Sequence, residues 1–362
     1  MALIGAPTAA AEWAVGDITF FRRGTTMPRQ RLRPYQFTLL GLLLAVTAVS
    51  VALSVFAVRR DRIAQERALL KALGNSVTLE EWDNGDLVAL GLDMADNTHV
   101  DVLRHFVHLE GLYLSGPAIT AHVLAHLGSQ ENLQELCVIN PESPMADKGL
   151  ACLGGLASLK SLTSLSYLGG RVSDEGMRSQ ANLTNIEVLR VWCPEATDDG
   201  LKSLARLRGL RHLWLTNGQK MTGEGLSALQ APERLEVLHM ANVTHEGMKT
   251  IARFSNLREL SVGGKSLRDE STAFLVELKG LRVLNLGETA ISAASMPNLL
   301  RIRTLEEITV PFSIQVTPAL RKQLAESLPN LKYLKSDADG TLFSPGAANG
   351  AGTADENENP GR

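Results

Sequence analysis

The pattern of leucines along this chain changes period within each copy of a repeating unit. A run such as IEVLRV at 186–191 alternates apolar and polar residues, which predicts a strand with one buried face. The segment GLKSLARL at 200–207 comes next, and in it Leu201, Leu204 and Leu207 have helical spacing. One unit therefore predicts a strand followed by a helix.

The unit recurs along most of the chain. We define the register position of each unit as the central Leu or Ile of its strand run. Successive register positions are 22 to 27 residues apart, and a period in the twenties is typical of a solenoid. The sequence places them at residues 90, 112, 136, 162, 189, 213, 238, 260, 284, 308 and 334.

A second motif, TDDGL at 197–201, marks the predicted start of each helix. Thr197 is a good N-cap, and the two aspartates that follow lie where carboxylates favour the positive end of the helix dipole. Gly200 predicts a close approach of helix to strand, and its replacement by Ala is expected to be tolerated. The motif recurs as ADKGL (146–150), SDEGM (173–177), TGEGL (222–226) and THEGM (244–248).

The segment LRHLWLTNGQKMTGEGL at 210–226 resembles the leucine-rich repeat family. Its T-x-E-G-L ending is similar to the cysteine-containing, ribonuclease-inhibitor-like subgroup known from substrate-receptor proteins. The resemblance covers about residues 86–335 and implies an α/β solenoid, with a curved parallel sheet inside and helices outside; it is specific for fold and not for function. The family's Asn or Cys after the strand stands here four residues past the register position instead of the usual five, at Asn140, Cys193, Asn217 and Asn242.

An uncharged run of 22 residues at 37–58 predicts a single transmembrane helix and thus a single-pass protein of the cell membrane, with the lipid bilayer as a partner. A cleaved signal peptide is the alternative, which the length of the run and the charges directly after it disfavour. Five basic residues on each side leave the orientation open, although a start at Met27 would favour cytoplasmic repeats. This organisation resembles membrane-anchored leucine-rich repeat proteins of planctomycete-type bacteria.

The remaining segments complete the predicted domain organisation. Residues 1–36 are expected to be a flexible, Arg-containing segment. Residues 59–85 predict a juxtamembrane helix and a hairpin, turning at Asn84 and Gly85, that caps the solenoid of 86–335. The small, polar and acidic residues of 336–362 predict a disordered tail.

Composition narrows the classes of function. The chain of 362 residues has a net charge of −3, so no global basic field favours nucleic acid as a partner. Its three cysteines, Cys137, Cys152 and Cys193, predict free thiols and no disulfide framework.

The sequence offers little for catalysis. It has no P-loop, no dinucleotide-binding glycine motif and no G-x-S-x-G elbow, so we expect no enzyme and no cofactor. The pair His122 and His126 lacks the Glu of a zinc protease helix, and with His105 and His108 it is interpreted as surface histidines and no metal site. The position directly before the glycine of the helix-start motif is acidic in five units, at Glu175, Asp199, Glu224, Glu246 and Glu270. We interpret these residues as separate helix starts, each favoured by its own dipole, and the alternative is an acidic edge that binds cations.

Binding is the function that the predicted architecture favours. The residues directly after the register positions should form one column on the exposed sheet face: Gly91, Tyr113, Cys137, Thr163, Arg190, Trp214, His239, Ser261, Asn285, Thr309 and Lys335. Arg190, Trp214 and His239 are predicted to be neighbours in this column, with Trp192 and His212 beside them. Exposed Trp and Arg at the centre of such a face are typical of an interface hot spot. The alternative is a cation–π stack of Arg190 on Trp214 that only stiffens the sheet.

Three functions remain open from the sequence. The leading hypothesis is a membrane-tethered recognition module that binds a protein or peptide ligand. The second is a substrate receptor of a ubiquitin-ligase-like complex, which would need an adaptor-binding helical motif before the repeats. The third is a purely structural envelope protein.

Overall fold

A computed structural model of the chain describes residues 39–84, 86–93, 102–117, 119–139, 146–155, 159–336 and 342–343. The chain divides into two units, Met1–Val58 and Arg59–Arg362. The predicted N-terminal segment, Asn140 and nearly all of the predicted tail lie outside the described residues.

Helix α1, Leu39–Leu73, covers most of the predicted membrane span and the predicted juxtamembrane helix. In the part of this helix that belongs to the first unit of the chain, the described side chains, from residue 46 to Val58, are exposed. None of the described helices combines the length and the apolar character needed to cross a bilayer. The transmembrane helix predicted over 37–58, and with it the single-pass membrane location, therefore has no support from the structure.

The second unit is built on one sheet of 13 strands arranged in chain order. Strands β2 to β12 are parallel, and antiparallel pairs close the sheet at both ends, β1 with β2 and β12 with β13. The hairpin predicted near Asn84 is present, and Asn84 has a φ of 50°, which Asn tolerates in a tight turn. The strands are β1 Val77–Asp83, β2 Asp86–Asp93, β3 Gly111–Ser115, β4 Glu135–Ile139, β5 Ser164–Leu168, β6 Val188–Trp192, β7 His212–Thr216, β8 Val237–Met240, β9 Glu259–Val262, β10 Val283–Asn285, β11 Glu307–Val310, β12 Tyr333–Ser336 and β13 Leu342–Phe343.

Short helices connect the parallel strands, which confirms the predicted α/β class with a parallel sheet. The α-helices are α2 Ala121–Ala125, α3 Ala146–Gly155, α4 Asp174–Ser179, α5 Asp198–Ser203, α6 His245–Ile251, α7 Met296–Leu299 and α8 Pro318–Ser327. The described 3₁₀ segments are Gly74–Ser76, His126–Ser129, Leu159–Ser161, Gln180–Asn182, Leu204–Arg206, Glu224–Ala228, Pro232–Arg234, Asp269–Glu277 and Ala293–Ser295.

The register of the sheet agrees with the sequence at every predicted position but one. Leu136 pairs with Leu165, which in turn pairs with Leu189, so the predicted register position at Leu162 is wrong by three residues. Tyr167 explains the difference, because its buried ring fills the place that Leu or Val takes two residues after most other register positions. The gap from 136 to 165 is therefore 29 residues, longer than any spacing predicted.

The core lies on one side of the sheet, under the helices. All eleven register side chains are buried, as are the apolar residues two positions later in most strands. Side chains directly before and after a register position face away from this core and leave a second sheet face, which we call the open face. The three cysteines are free thiols, as predicted, and burial raises the pKa of Cys193 to about 12.

The first acidic residue of the TDDGL motif has a role that the sequence did not indicate. The Asp198 carboxylate accepts hydrogen bonds from the next unit: from the Thr222 amide and hydroxyl at 3.0 and 2.6 Å, and from the amides of Gly223 and Gly225 at 3.1 and 3.0 Å. Equivalent bonds join Asp147 to Ser173, Asp174 to Thr197 and Asp269 to Ser292. These four aspartates each tie one helix start to the next one.

The glycine of the motif allows this close approach between helix starts. A Cβ atom added at Gly200 would come within 2.7 Å of Asp174 Oδ1, and at Gly247 it would overlap the carbonyl oxygen of Thr222. The expected approach of helix to strand is therefore wrong for these units, since the neighbour is the preceding helix start. Replacement of Gly200 by Ala is no longer expected to be mild.

Polar residues secure the hairpin end of the solenoid. Arg59 and Arg62 of α1 both donate to the Asp86 carboxylate on β2, the first at 2.7 Å. Glu66 is buried on the same helix, and burial raises the pKa of its carboxyl. Arg67 lies over the ring of Trp82, with 5.1 Å from the guanidinium carbon to the ring centroid. These contacts hold the second part of α1 against the hairpin.

Candidate ligand-binding site

The predicted cluster lies on three neighbouring strands of the open face. In the register of the sheet, Arg190 on β6 pairs with Trp214 on β7, and Trp214 pairs with His239 on β8. Each follows a fully buried leucine, so strand alternation directs it to the open face. All three side chains are partly exposed. In the eighth unit, Ser261 continues the column on β9.

The predicted column needs one correction. Ser166, and not Thr163, pairs with Cys137 on one side and with Arg190 on the other. Thr163 instead precedes β5, and its carbonyl accepts hydrogen bonds from the amides of Glu187 and Val188. The remaining predicted members of the column pair as expected.

Trp214 is the centre of the cluster because three side chains contact its ring. The guanidinium carbon of Arg190 lies 4.1 Å from the ring centroid, which is a cation–π stack. His212 meets the ring edge-on at 5.4 Å between centroids, and His239 meets it at a tilt at 5.5 Å. The structure thus brings together four of the five predicted site residues.

The two histidines of the cluster have different electrostatic surroundings. His239 Nε2 lies 2.6 Å from Glu259 Oε1 on the next strand, a contact that becomes an ion pair when the imidazole is protonated. Burial lowers the pKa of His212, so this ring is neutral near pH 7. A neutral imidazole still offers one donor and one acceptor to a ligand.

Trp192 stands apart from the other four residues. It is two residues beyond Arg190 on β6 and on the same face, and its side chain is 40% exposed. Among the ring contacts of the described residues, none joins Trp192 to Trp214 or to either histidine. Its indole is therefore available to a partner, whereas that of Trp214 is already in contact with three neighbours.

A shallow cavity of about 300 Å³ adjoins the cluster on the side of β9 and β10. His239 lines it together with Ser261 and Asn285 of the same column. Its remaining lining comes from the ends of the strands and the loops that follow, including Thr216, Asn217 and Glu288. Leu215, Met240 and Val262 also line the cavity, so it offers a ligand both hydrogen-bonding and apolar contacts.

Ionic contacts beside the cluster, and farther along the sheet, were not predicted from the sequence. Glu259, the partner of His239, precedes its own register position by one residue. Two residues before the register positions, Glu236 contacts Arg211 at 2.5 Å and Arg258 at 3.9 Å, and Glu306 contacts Arg282 at 3.4 Å and Lys332 at 2.6 Å. Arg or Lys and Glu recur at this position of successive units, from Glu187 to Lys332, which was a usable signal. At these exposed edges, such pairs orient side chains more than they stabilise the fold.

The other candidate sites of the sequence do not form clusters. Asp199 contacts Lys202 at 2.8 Å and Glu246 contacts Lys249 at 3.3 Å, each within its own helix. His108 contacts Arg62, and the side chain of His122 lies outside the described residues. No group of His, Cys, Asp and Glu suited to hold a metal ion occurs in the part of the chain that the structure describes.

Comparisons with known proteins give only distant likenesses. No family model and no curated protein matches the chain. Among solved structures, an internalin (inlF) from Listeria monocytogenes is 17% identical with a TM-score of 0.43, covering 75% of this chain and 94% of its own. The yeast Rad7 and Elc1 complex is 14% identical with a TM-score of 0.45, covering 84% of this chain and 96% of its own. An internalin C2 (inlC2) from Listeria monocytogenes is 20% identical with a TM-score of 0.34, covering 60% of this chain and 84% of its own. These likenesses are too distant to assign a family or a function.

Proposed function

We propose that the chain is a recognition module that binds a protein or peptide ligand on the open face of its sheet, with Trp214 at the centre of the site. The observation that carries the proposal is the convergence of Arg190, His212 and His239 on one indole ring, on neighbouring strands that do not need these residue types to fold. Trp and Arg are among the residues that most often dominate binding energy at interfaces. Binding requires no catalytic group, and none is assigned.

The competing explanation is that the stack only stiffens the sheet. The 4.1 Å contact of Arg190 with Trp214 is the contact that this explanation requires, so geometry does not separate the two. They differ in what a substitution changes. A stiffening stack contributes to stability, whereas a binding site contributes to affinity.

The test uses the full chain and a displayed library of random peptides. Peptides enriched on the wild-type protein should bind Trp214→Ala and Arg190→Ala at least tenfold more weakly, while the far-ultraviolet spectrum and the melting temperature stay close to wild type. Arg253→Ala, which removes an exposed charge beyond helix α6, is the matched control and should bind as wild type does. Unchanged binding by both site variants, or a fall in melting temperature as large as the loss of binding, would show that the cluster is structural.

The finer expectations rest on the sequence alone. These are the ribonuclease-inhibitor-like subgroup, the planctomycete-type organisation and attachment to a bilayer through residues 37–58. The uncharged run of 22 residues supports the last of them, without support from the described helices.

A further inference from the structure

An apolar strip lies beside the cluster on the open face. We define it as Ile139, Leu168 and Trp192, at the ends of β4, β5 and β6. Ile139 pairs with Leu168 in the register of the sheet, and Leu168 and Trp192 directly follow the pair Tyr167 and Val191. Ile139 and Trp192 are 41% and 40% exposed, and Leu168 is partly exposed. Three large apolar side chains in a row on an exposed sheet face indicate a contact surface.

Arg190 supplies a charge next to this strip. It precedes Trp192 by two residues on β6, so the two side chains share a face and leave the strand about 7 Å apart. Its guanidinium stacks on Trp214, which fixes the plane of the group and leaves its edge N–H donors free. Among the described residues, no carboxylate pairs with Arg190 and none accepts a hydrogen bond from it.

The nearby carboxylates on the open face already have contacts of their own. Glu259 lies 2.6 Å from His239, and Glu135 accepts a hydrogen bond of 2.9 Å from the Tyr113 hydroxyl. Burial, and after it the hydrogen bond to Glu135, raise the pKa of Tyr113 to about 12. The phenol is therefore a donor at neutral pH. Among the described residues, Arg190 is thus a stacked cation with no carboxylate partner, and it lies beside an exposed apolar strip.

Resting on the recognition function above, we propose that the partner is an extended peptide segment with an Asp or Glu two residues away from a large apolar residue. The apolar side chain packs on the strip, and the carboxylate pairs with the edge of the Arg190 guanidinium. Residues i and i+2 of an extended peptide share a face and are about 7 Å apart, which matches the separation of Trp192 and Arg190 along β6. Arg and carboxylate form strong paired hydrogen bonds when the guanidinium is held in plane.

The test compares peptide selections on charge-swapped proteins. The library displays random peptides internally in a carrier protein, so the carboxylates that it offers come from Asp and Glu side chains. Wild type should enrich peptides with an apolar residue and an acidic residue two apart. Arg190→Glu should instead enrich an apolar residue and a Lys or Arg at that spacing. Trp192→Ser should weaken binding of the wild-type peptides at least tenfold, whereas Arg253→Glu should enrich the same acidic peptides as wild type.

The outcomes separate this inference from the recognition function. Peptides that lose affinity on Trp214→Ala but bind Arg190→Glu and Trp192→Ser as well as wild type would overturn the inference and leave the recognition site standing. Absence of any enriched peptide would overturn both. If Arg190→Glu does not fold by far-ultraviolet circular dichroism, Arg190→Gln serves in its place. It should then lose the preference for acidic peptides, and retention of that preference would overturn the inference.

Discussion

Asp198 and Asp199 are neighbours in the TDDGL motif, yet the structure predicts opposite outcomes for their replacement. Asp198 accepts four hydrogen bonds from the next unit, at 2.6 to 3.1 Å. Asp199 is exposed and contacts only Lys202 of its own helix among the described side chains. Both lie in the first turn of helix α5, so their favourable position at the helix dipole is shared and cancels in the comparison.

The magnitude follows from the bonds that Asp198→Ala removes. A hydrogen bond to a charged group contributes about 1.5–3 kcal/mol. The four bonds share one carboxylate, and the partly buried donors at Thr222, Gly223 and Gly225 gain some bonds to water when it is lost. We therefore expect a net loss of about 2–4 kcal/mol in the free energy of unfolding, below the sum of four separate bonds. Asp198→Asn keeps one oxygen acceptor, so its free energy of unfolding should lie between those of Asp198→Ala and wild type.

The assay is urea unfolding of the full chain, together with amide hydrogen exchange. Asp198→Ala should lower the unfolding midpoint without changing the slope, and it should speed exchange at the Thr222, Gly223 and Gly225 amides. Asp199→Ala should leave both close to wild type. Equal effects of the two substitutions would refute the reasoning, because they would mean that the helix dipole and not the inter-unit bonds explains the acidic residues.

Three further predictions concern other parts of the chain. Gly247→Ala should destabilise the protein by about 1–3 kcal/mol in urea unfolding through overlap with a backbone carbonyl, whereas Gly155→Ala, with no atom within 4 Å of the added Cβ, should be neutral or stabilising. Hydrogen bonds from Lys220 and Arg171 lower the pKa of Glu195 to about 2, so wild type should be more stable than Glu195→Gln near pH 6. This difference in stability should disappear as the pH falls through the range from 4.5 to 2, and a full difference that persists at pH 2 would contradict the prediction. If residues 37–58 anchor the chain, full-length protein should stay with membranes on carbonate extraction, and recovery in the soluble fraction would contradict the anchor.

The sequence predicted the repeat well because the buried leucine is a local signal. It failed at Leu162 because Leu159, Leu162 and Leu165 are three residues apart, so each of them fits the pattern equally well. The strand pairing identifies Leu165, together with the burial of Tyr167, an aromatic residue at a position that is usually aliphatic. A pattern restricted to aliphatic residues could not make that choice.

Contacts between units were beyond the sequence pattern. The dipole explains a carboxylate at a helix start, so the bonds from Asp198 to residues 24 to 27 positions later were not needed to account for it. The same limit applies to the site. Adjacent strands predicted Arg190, Trp214 and His239 as neighbours, but the pairing of His239 with Glu259 requires both side-chain rotamers.

The most direct test of the recognition site is a nuclear magnetic resonance titration of the tryptophan indole N–H signals. The ligand is the tightest peptide from the library selection, and Trp→Phe variants assign the signals. We expect the signals of Trp214 and Trp192 to shift on titration, while the signal of Trp82, which lies under Arg67 at the hairpin end, stays in place. Shifts at Trp82 without shifts at Trp214 would contradict a binding site on the open face.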